Sequence, residues 1–276
     1  MEKIRLFVTD LDGTLLNGDG KATERGLQML RKLKAQGVLV AAASGRPLQS
    51  ICERIPADCL DYAICYNGQQ IHDFRHDSDV FFPCLSAEDA RRIVAPMRQC
   101  RVFMAAYTGE SFRYYCDKRH LLYLTAYNGG RNLLRMILFR HRIPGRILTD
   151  YREVEENSHP KICFGGFHAA LKQVIRLIGP DEYSYAFVNR FWLEIQARGI
   201  SKGEAIERII ADNHLTREEC LAAGDGENDL SMFAACGHSL AMANAMGKAK
   251  KAAEYHAGSN LRDGLAAWVE DNILNA

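Results

Sequence analysis

The chain has 276 residues, enough for one large domain or two modest ones, each with a buried core. With 47% hydrophobic residues, 25% charged residues and 7 prolines, its composition is that of a folded globular protein and excludes disordered, collagen-like and coiled-coil chains. The formal net charge of +1 predicts neither a nucleic-acid partner nor binding to an anionic membrane surface.

The first 82 residues alternate strand and helix signals. Short apolar runs predict strands, and leucines at helical spacing predict a helix that stops at Gly37. The predicted strands are Ile4 to Thr9, Val38 to Ala43 and Tyr62 to Tyr66, and the predicted helix is Thr23 to Gln36. Pro47 suits the first position of a further helix. This alternation predicts a parallel sheet wrapped by helices.

The pattern changes between residues 83 and 189, and so does the charge. Residues 83–187 hold 16 Lys and Arg against 10 Asp and Glu, so this part is positive and the remainder is negative. A capping box at Ser86 to Asp89 and the run His168 to Ile178 predict helices. Strand-like runs lie at Lys161 to Phe167 and Tyr183 to Ile195. We therefore predict an α+β domain at 83–189, inserted into a core formed by 1–82 and 190–276.

Two further stretches have a distinct pattern, one rich in arginine and one that follows Gly199. Arg131 to Arg146 contains five arginines, which favours a solvated helix face over a dedicated ligand site. After Gly199 the first pattern returns, with a capping box at Ser201 to Glu204 and predicted strands at Leu221 to Gly224 and Ser239 to Met242.

Cysteine use and hydropathy predict a cytoplasmic protein. No apolar run approaches the roughly 18 residues of a membrane-spanning helix, and the first residues carry no signal-peptide pattern. The 9 cysteines include no Cys-x-x-Cys pair, which favours buried reduced thiols over disulfides or zinc.

Polar side chains follow three of the predicted strands. Asp10 and Asp12 follow the first strand, Ser44 follows the second, and a late strand leads into Asp225. Asn228 and Asp229 come directly after it. Ligands of open α/β sheets bind outside the carboxyl ends of the strands, so we expect these side chains to converge on one site.

The paired acids point to a cation, although turn chemistry explains them equally well when taken alone. Asp10 and Asp12 project to the same side of an extended chain, where two carboxylates repel unless a cation lies between them or one is protonated. Asp and Gly are also favoured in turns, which is the purely structural interpretation. A third carboxylate, Asp225, again in an Asp-Gly turn, favours an oxygen-ligand site for a hard divalent ion such as Mg²⁺.

Lys202 suggests a phosphate site beside that cation. A positive charge in the first turn of a helix opposes the helix dipole by about 0.3–1 kcal/mol, so an exposed lysine gains nothing there. A lysine that reaches an anion does gain, because the helix terminus and the ammonium then act on the same phosphate. Ser44 and Gly45 offer a hydroxyl and backbone N–H groups from a second helix start.

Four stretches of sequence, taken together and in order, resemble a known family. They are Asp10 to Leu16, Ser44 to Arg46, Gly199 to Gly203 and Gly224 to Asp229. They are similar to the four motifs of the haloacid dehalogenase-like phosphatases, and more narrowly of the Cof-type sugar-phosphatase branch. Tyr66 to Gly68 and Leu240 to Ala245 resemble two more stretches of that branch. The resemblance covers nearly the whole chain outside the insert, which shows no familiar motif.

The resemblance implies a Rossmann-like core, an α+β cap inserted between the second and third motifs, and a set of roles. Asp10 would be the nucleophile that forms an aspartyl-phosphate, and Asp12 the acid and base. Lys202 would neutralise charge, and Asp229 would orient the metal shell. The Mg²⁺ ligands would be the side chains of Asp10 and Asp225 and the backbone carbonyl of Asp12. The phosphate would contact Ser44, Lys202, Asn228 and backbone N–H groups around Leu11, Asp12 and Gly45.

These expectations combine into a Mg²⁺-dependent phosphatase for monoesters of small metabolites, such as sugar phosphates or phosphorylated cofactors. Two alternatives stay open at this point. A phosphomutase would use the same aspartyl-phosphate chemistry with a sugar hydroxyl as acceptor. A non-enzymatic receiver-like module would also carry Asp, Mg²⁺, a hydroxyl and Lys, but the acid beside the phosphoacceptor and the large insert argue against it.

Overall fold

The computed structural model describes residues 3–100, 102–108, 111–115, 147–148, 150–189 and 191–275. It divides the chain into two compact units. Residues 1–82 and 200–276 form the first, and residues 83–199 form the second. The arginine-rich stretch from 131 to 146 lies outside the described residues. Within the part of the chain that is described, no helix combines the length and apolar character needed to cross a membrane.

The first unit is built on an eight-stranded sheet with the order β14-β13-β12-β1-β2-β3-β4-β5. From β14 to β3 neighbouring strands are parallel, whereas β4 and β5 continue the sheet in antiparallel fashion. The strands are β1 (Leu6–Asp10), β2 (Leu39–Ala43), β3 (Tyr62–Cys65), β4 (Gln70–Asp73), β5 (Ser78–Phe81), β12 (Cys220–Gly224), β13 (His238–Ala241) and β14 (Tyr255–His256).

Helices accompany this sheet in the βαβ manner that the alternating strand and helix signals predict. They are α1 (Glu24–Ala35), α2 (Leu48–Cys52), α6 (Lys202–Asp212), α7 (Leu230–Ala235), α8 (Gly247–Ala252) and α9 (Gly264–Val269). The hydroxyl of Thr23 caps α1 by accepting from the Gly26 N–H at 3.1 Å. One face of α1 buries Met29, Leu30 and Leu33 in the same core as β1. Truncating one of these side chains to alanine would cost about 2–5 kcal/mol.

The second unit contains a six-stranded sheet with the order β10-β11-β9-β6-β7-β8. Its strands are antiparallel except for the β7–β8 pair. The strands are β6 (Val102–Thr108), β7 (Ser111–Tyr115), β8 (Ile147–Leu148), β9 (Ile162–Gly166), β10 (Ser184–Asn189) and β11 (Trp192–Gln196). The helices are α3 (Ala87–Val94), α4 (Arg152–Glu155) and α5 (His168–Ile178). Alternate residues of β6, β9 and β11 bury one face against an apolar core of their own.

Most predicted elements have the bounds expected from the sequence to within two residues, with three differences. The strand-like run from 183 to 195 is a hairpin of β10 and β11 instead of one strand. Because β11 pairs with β9 in the second sheet, the chain returns to the first unit at Ile200 and not at residue 190. Pro47 precedes α2 as its N-cap, so the first helical residue is Leu48.

The sheet brings the polar strand ends of the first unit together. Within the ladders Asp10 pairs with Ala43, and Thr9 pairs with Ala223. Since β1, β2 and β12 run parallel and adjacent, Ser44 and Asp225 emerge beside Asp10 at the same carboxyl edge.

Candidate active site

A buried lysine joins two carboxylates at the carboxyl edge of the first sheet. Nζ of Lys202 donates to Oδ1 of Asp10 at 2.6 Å and to Oδ1 of Asp229 at 2.7 Å. Lys202 is 0% exposed, and both acids are buried. Full burial shows that this lysine is not a solvated residue that happens to start a helix. It is held as a cation by two charge-assisted hydrogen bonds.

Close backbone packing delivers Lys202 to this position. Lys202 is the first residue of α6, after the N-cap Ser201, whose Oγ accepts from the Glu204 N–H at 3.2 Å. A Cβ on Gly203 would collide with the carbonyl oxygen of Ser231, and one on Gly68 would collide with that of Ser201. The two glycines therefore allow neighbouring backbone to approach the start of α6 as closely as it does.

Asp229 also organises the loop that carries Asp225. Its Oδ2 accepts from the backbone N–H groups of Asp225 and Gly226, both at 2.8 Å, and its Oδ1 receives Lys202. Each oxygen of Asp229 is thus engaged within the protein. A Cβ on Gly224 would lie 2.6 Å from Oδ2 of Asp229, so a glycine is required at the end of β12.

Two carboxyls of this cluster, those of Asp10 and Asp225, have raised pKa values. Burial is the largest cause that raises the pKa of Asp10 well above its usual value. The charge of Lys202 opposes that rise, and the charges of Asp229 and Asp225 add to it. Burial, followed by the charge of Asp229, raises the pKa of Asp225 to about 7. Burial alone would lower the pKa of Lys202, but the adjacent carboxylates of Asp10 and Asp229 raise it.

The cluster has the donor chemistry of a site for a hard divalent cation. One carboxylate oxygen from each of Asp10, Asp225 and Asp229 lies within 4.8 Å of the other two. Oxygen ligands are those that Mg²⁺ prefers. After burial, the charges of Asp229 and Asp225 add to the raised pKa of Asp10, and the charge of Asp229 adds to the raised pKa of Asp225. A divalent cation would relieve this repulsion between carboxylates. The residues present therefore fit a magnesium ion.

The Asp12 side chain pairs with Arg46. Nε of Arg46 donates to Oδ2 of Asp12 and Nη2 donates to Oδ1, both at 2.7 Å. The pair is only partly buried, with 29% of the Arg46 side chain and 53% of the Asp12 side chain exposed. The sequence alone placed Asp12 beside Asp10 but gave no indication of this bidentate partner.

The predicted phosphate-binding residues surround the same edge. Ser44 is buried; its Oγ accepts from the Arg46 N–H at 3.3 Å, and its carbonyl oxygen accepts from the Asn67 N–H at 2.9 Å. Nδ2 of Asn228 donates to Oδ1 of Asn67 at 3.5 Å. Gly45 lies between Ser44 and Arg46, and Leu11, which is buried, lies between the two acids of the first motif.

The loop after β1 is tied to the Asp225 loop by residues that sequence reasoning did not select. Oγ1 of Thr14 donates to Oδ1 of Asp225 at 3.5 Å, and Nδ2 of Asn244 donates to the Gly13 carbonyl at 2.7 Å. Gly13 has φ +84°, and a Cβ there would collide with Oδ2 of Asp225. The asparagine belongs to the quoted stretch Leu240 to Ala245, so the family resemblance was the signal that could have found it.

The residues of this site lie within a region that matches a known protein family. A family model described as haloacid dehalogenase-like hydrolase matches residues 7–269, which span every residue of the site. The chain is a haloacid dehalogenase-like hydrolase. A relative in Streptococcus pyogenes, which carries a provisional name as a phosphatase, is 28% identical over 283 residues that cover 99% of each chain. The HMP-PP phosphatase of Cronobacter sakazakii is 28% identical over 247 residues, 88% of this chain and 85% of that one.

Solved structures agree on the fold. A haloacid dehalogenase-like hydrolase from Bacillus subtilis superposes with a TM-score of 0.81 at 22% identity, covering 98% of this chain and 100% of that one. A sugar phosphatase of haloacid dehalogenase subclass IIB superposes with a TM-score of 0.79 at 18% identity, covering 98% and 99%.

Membership of the haloacid dehalogenase-like hydrolases confirms the resemblance read from the four motifs. The α/β fold with a separate α+β unit is confirmed as well. The chain is an enzyme, and the expected class of phosphoric monoester hydrolase agrees with the names of its relatives. The non-enzymatic receiver-like alternative is therefore wrong. The individual roles assigned to Asp10, Asp12, Lys202, Asp225 and Asp229 stay predictions.

Proposed function

We propose that this hydrolase is a Mg²⁺-dependent phosphatase that acts on phosphate monoesters of small metabolites through an aspartyl-phosphate on Asp10. The observation that carries the proposal is the buried cation Lys202, hydrogen-bonded to both Asp10 and Asp229 at the edge where Asp225 also lies. A carboxylate can attack a phosphate monoester only where their mutual repulsion is removed. This cluster supplies a fixed positive charge at that place.

In the first half of the reaction, an oxygen of Asp10 attacks phosphorus and the bond between phosphorus and the leaving oxygen breaks. The leaving alkoxide takes a proton from Asp12, and the product is an alcohol and an aspartyl-phosphate. The hydrogen bond from Lys202 fixes the orientation of the Asp10 carboxylate. It therefore removes much of the entropy that a freely rotating nucleophile would lose in the transition state.

In the second half, water attacks the aspartyl-phosphate and Asp12 accepts its proton. This restores the Asp10 carboxylate and releases inorganic phosphate. Asp12 suits both steps because its side chain is half exposed, so leaving groups and water have access to it. General acid–base catalysis of this kind contributes about 10²–10⁴-fold to the rate.

When bound, Mg²⁺ would supply electrostatic stabilisation of the transferring phosphoryl oxygens. Its protein ligands would be the side chains of Asp10 and Asp225 and the backbone carbonyl of Asp12. We assign Asp229 to the support of this shell, because its two oxygens already accept from Lys202 and from the Asp225 and Gly226 N–H groups.

The remaining donors favour a small phosphorylated substrate. Ser44, Asn228 and the backbone N–H groups around Leu11, Asp12 and Gly45 would hold the phosphoryl oxygens as they gain charge. The positive balance of residues 83–187 suits anionic metabolites. The name of the HMP-PP phosphatase relative is consistent with this class of substrate.

The test is phosphate release from a generic aryl phosphate, with and without chelator, for the wild type and for Asp10→Asn. We expect wild-type release to require Mg²⁺. We expect the variant to be inactive and to form no acid-stable mass adduct of one phosphoryl group on the peptide containing residue 10.

Asp61→Asn is the matched control, because Asp61 is also a buried aspartate that pairs with a lysine, Lys34 at 3.0 Å. The control should retain activity. Unchanged turnover by Asp10→Asn would refute the nucleophile assignment. Isomerised product in place of released phosphate, with a sugar phosphate as substrate, would favour a phosphomutase instead.

A further inference from the structure

We infer that Arg46 is a positioning residue that fixes the Asp12 carboxyl for proton transfer to the leaving group. This inference rests on the proposed function, because it assumes that Asp12 is the acid. It assigns a task to a side chain that no motif argument had given one.

The first observation is the geometry of the pair. Arg46 and Asp12 form two hydrogen bonds of 2.7 Å, from Nε and Nη2 to the two carboxylate oxygens. Two bonds from one planar guanidinium to both oxygens fix the position and the rotation of the carboxylate, whereas a lysine ammonium would fix only a distance. A bidentate guanidinium is thus suited to hold an acid in one orientation.

The second observation is that the guanidinium itself is held. The third guanidinium nitrogen, Nη1 of Arg46, donates to Oγ of Ser50 on α2 at 3.3 Å. The Arg46 N–H donates to Oγ of Ser44 at 3.3 Å, and its carbonyl accepts from the Tyr66 N–H at 3.0 Å. Arg46 is therefore connected to the Ser44 loop and α2, and these supports fix where it holds Asp12.

The third observation is that the Arg46–Asp12 pair is partly exposed to solvent. Ion pairs with this much exposure, 29% and 53% of the two side chains, contribute little to the stability of the fold. An aspartate at the surface otherwise samples several rotamers, and each conformer away from the leaving group is unproductive. Stability therefore gives little reason for this pair, whereas orientation of the Asp12 carboxyl gives one.

Proton transfer from Asp12 uses one of its two carboxyl oxygens. A proton leaves Asp12 from one carboxyl oxygen and bonds to the leaving oxygen as the bond from that oxygen to phosphorus breaks. In the structure both oxygens accept from Arg46. The oxygen that carries the proton gives up its hydrogen bond from Arg46, and the other oxygen keeps its own, so the carboxyl stays oriented during the transfer. Loss of Arg46 would keep the Asp12 carboxyl but remove its fixed orientation, so the penalty should grow with the need of the leaving group for a proton.

Leaving-group dependence separates this role from a structural one. A nitrophenolate leaves without a proton, whereas the alkoxide of a hexose phosphate needs one. We measure kcat/KM, which covers the steps up to departure of the leaving group, for 4-nitrophenyl phosphate and for a hexose phosphate that the wild type hydrolyses. For Arg46→Gln we expect the ratio of the hexose value to the nitrophenyl value to fall by about tenfold or more, and by less than the roughly 10²–10⁴-fold expected when the acid itself is lost.

Two further variants complete the experiment. Arg46→Lys keeps the charge but loses the planar fork, so we expect the same change of the ratio to a smaller extent. In an Asp12→Asn background the acid is already missing, so adding Arg46→Gln should lower the ratio no further. Arg31→Gln is the matched control. It removes another partly exposed pair, with Asp58, outside the site and should leave the ratio unchanged.

The possible outcomes separate this inference from the proposed function. If kcat/KM falls equally for both substrates in Arg46→Gln and Arg46→Lys, the inference is overturned, because Arg46 would then bind the phosphoryl group or stabilise the fold. Full additivity with Asp12→Asn would overturn it too. If the wild type hydrolyses neither substrate, or if Asp10→Asn remains active, the proposed function itself fails.

Discussion

The buried Lys202 allows the sharpest prediction, for the variant Lys202→Met. Methionine has a similar length but no charge, so the variant leaves Asp10 and Asp229 facing each other and Asp225 without a cation. Breaking a buried ion pair from one side costs about 3–5 kcal/mol. Two hydrogen bonds are lost, at 2.6 and 2.7 Å, and bonds to charged groups contribute about 1.5–3 kcal/mol each. Both routes place the loss of unfolding free energy near 4 kcal/mol.

The loss should depend on pH in a defined direction. Burial already raises the pKa of Asp10, and the charge of Lys202 is what opposes that rise. Without the lysine, the folded variant binds protons at higher pH than the unfolded chain does. Its stability should therefore increase as the pH falls from neutral, and the difference from the wild type should narrow.

The assay is urea unfolding of the metal-free protein at pH 7 and at pH 5, followed by far-UV circular dichroism. Lys34→Met serves as control, since Lys34 pairs with Asp61 at 3.0 Å in the same unit but is 25% exposed. We expect a loss of only about 1 kcal/mol for this control, and unchanged phosphate release. A loss below about 1 kcal/mol for Lys202→Met, or a gap that widens at pH 5, would refute the reasoning.

Two further predictions concern Asp225 and Gly13. The pKa of Asp225 is raised to about 7 by burial and by Asp229, so the metal-free wild type should gain stability as the pH falls from 7 toward 4. In Asp225→Asn, we expect the unfolding free energy to depend less on pH and the melting temperature to rise less with Mg²⁺. Equal pH dependence in the variant and the wild type would contradict this assignment to Asp225. Gly13→Ala adds strain at φ +84° and a collision with Asp225, whereas Gly37→Ala adds similar strain at φ +81° in open space. We expect Gly13→Ala to lose phosphate release and Gly37→Ala to retain it. Equal loss of phosphate release in both variants would contradict a specific effect of the collision with Asp225.

The central part of the site could be predicted because chemistry and topology point to it together. Apolar strands that end in Asp10, Ser44 and Asp225 predict one edge of a parallel sheet, and the register places their ends side by side. Lys202 stood out because a cation at a helix start is unfavourable without an anion. These signals are periodic or local, which is what a sequence displays directly.

Other parts of the site depend on side-chain direction and could not be predicted. The partner of Asp12 is set by a rotamer of Arg46, and no spacing rule specifies it. The hydrogen bond from Asn244 to Gly13 joins loops that are far apart in sequence, so no spacing rule specifies it, although Asn244 lies in a stretch that resembles the family. In the second unit, the turn between β10 and β11 carries no glycine or proline, so nothing marked the hairpin inside an apolar run.

The interruption of the first unit by residues 83–199 has a consequence for protein synthesis. The two partners of the Asp10–Lys202 hydrogen bond are 192 positions apart, and β1 needs β12 as its neighbour in the sheet. Ribosomes add about 5–20 residues per second, so the nascent chain waits roughly 10–40 s between the two partners. During that interval Asp10, the proposed nucleophile, has no ammonium beside it. If Asp10 is the nucleophile that we propose, incomplete translation products should have no hydrolytic activity until Lys202 has been added and can reach it.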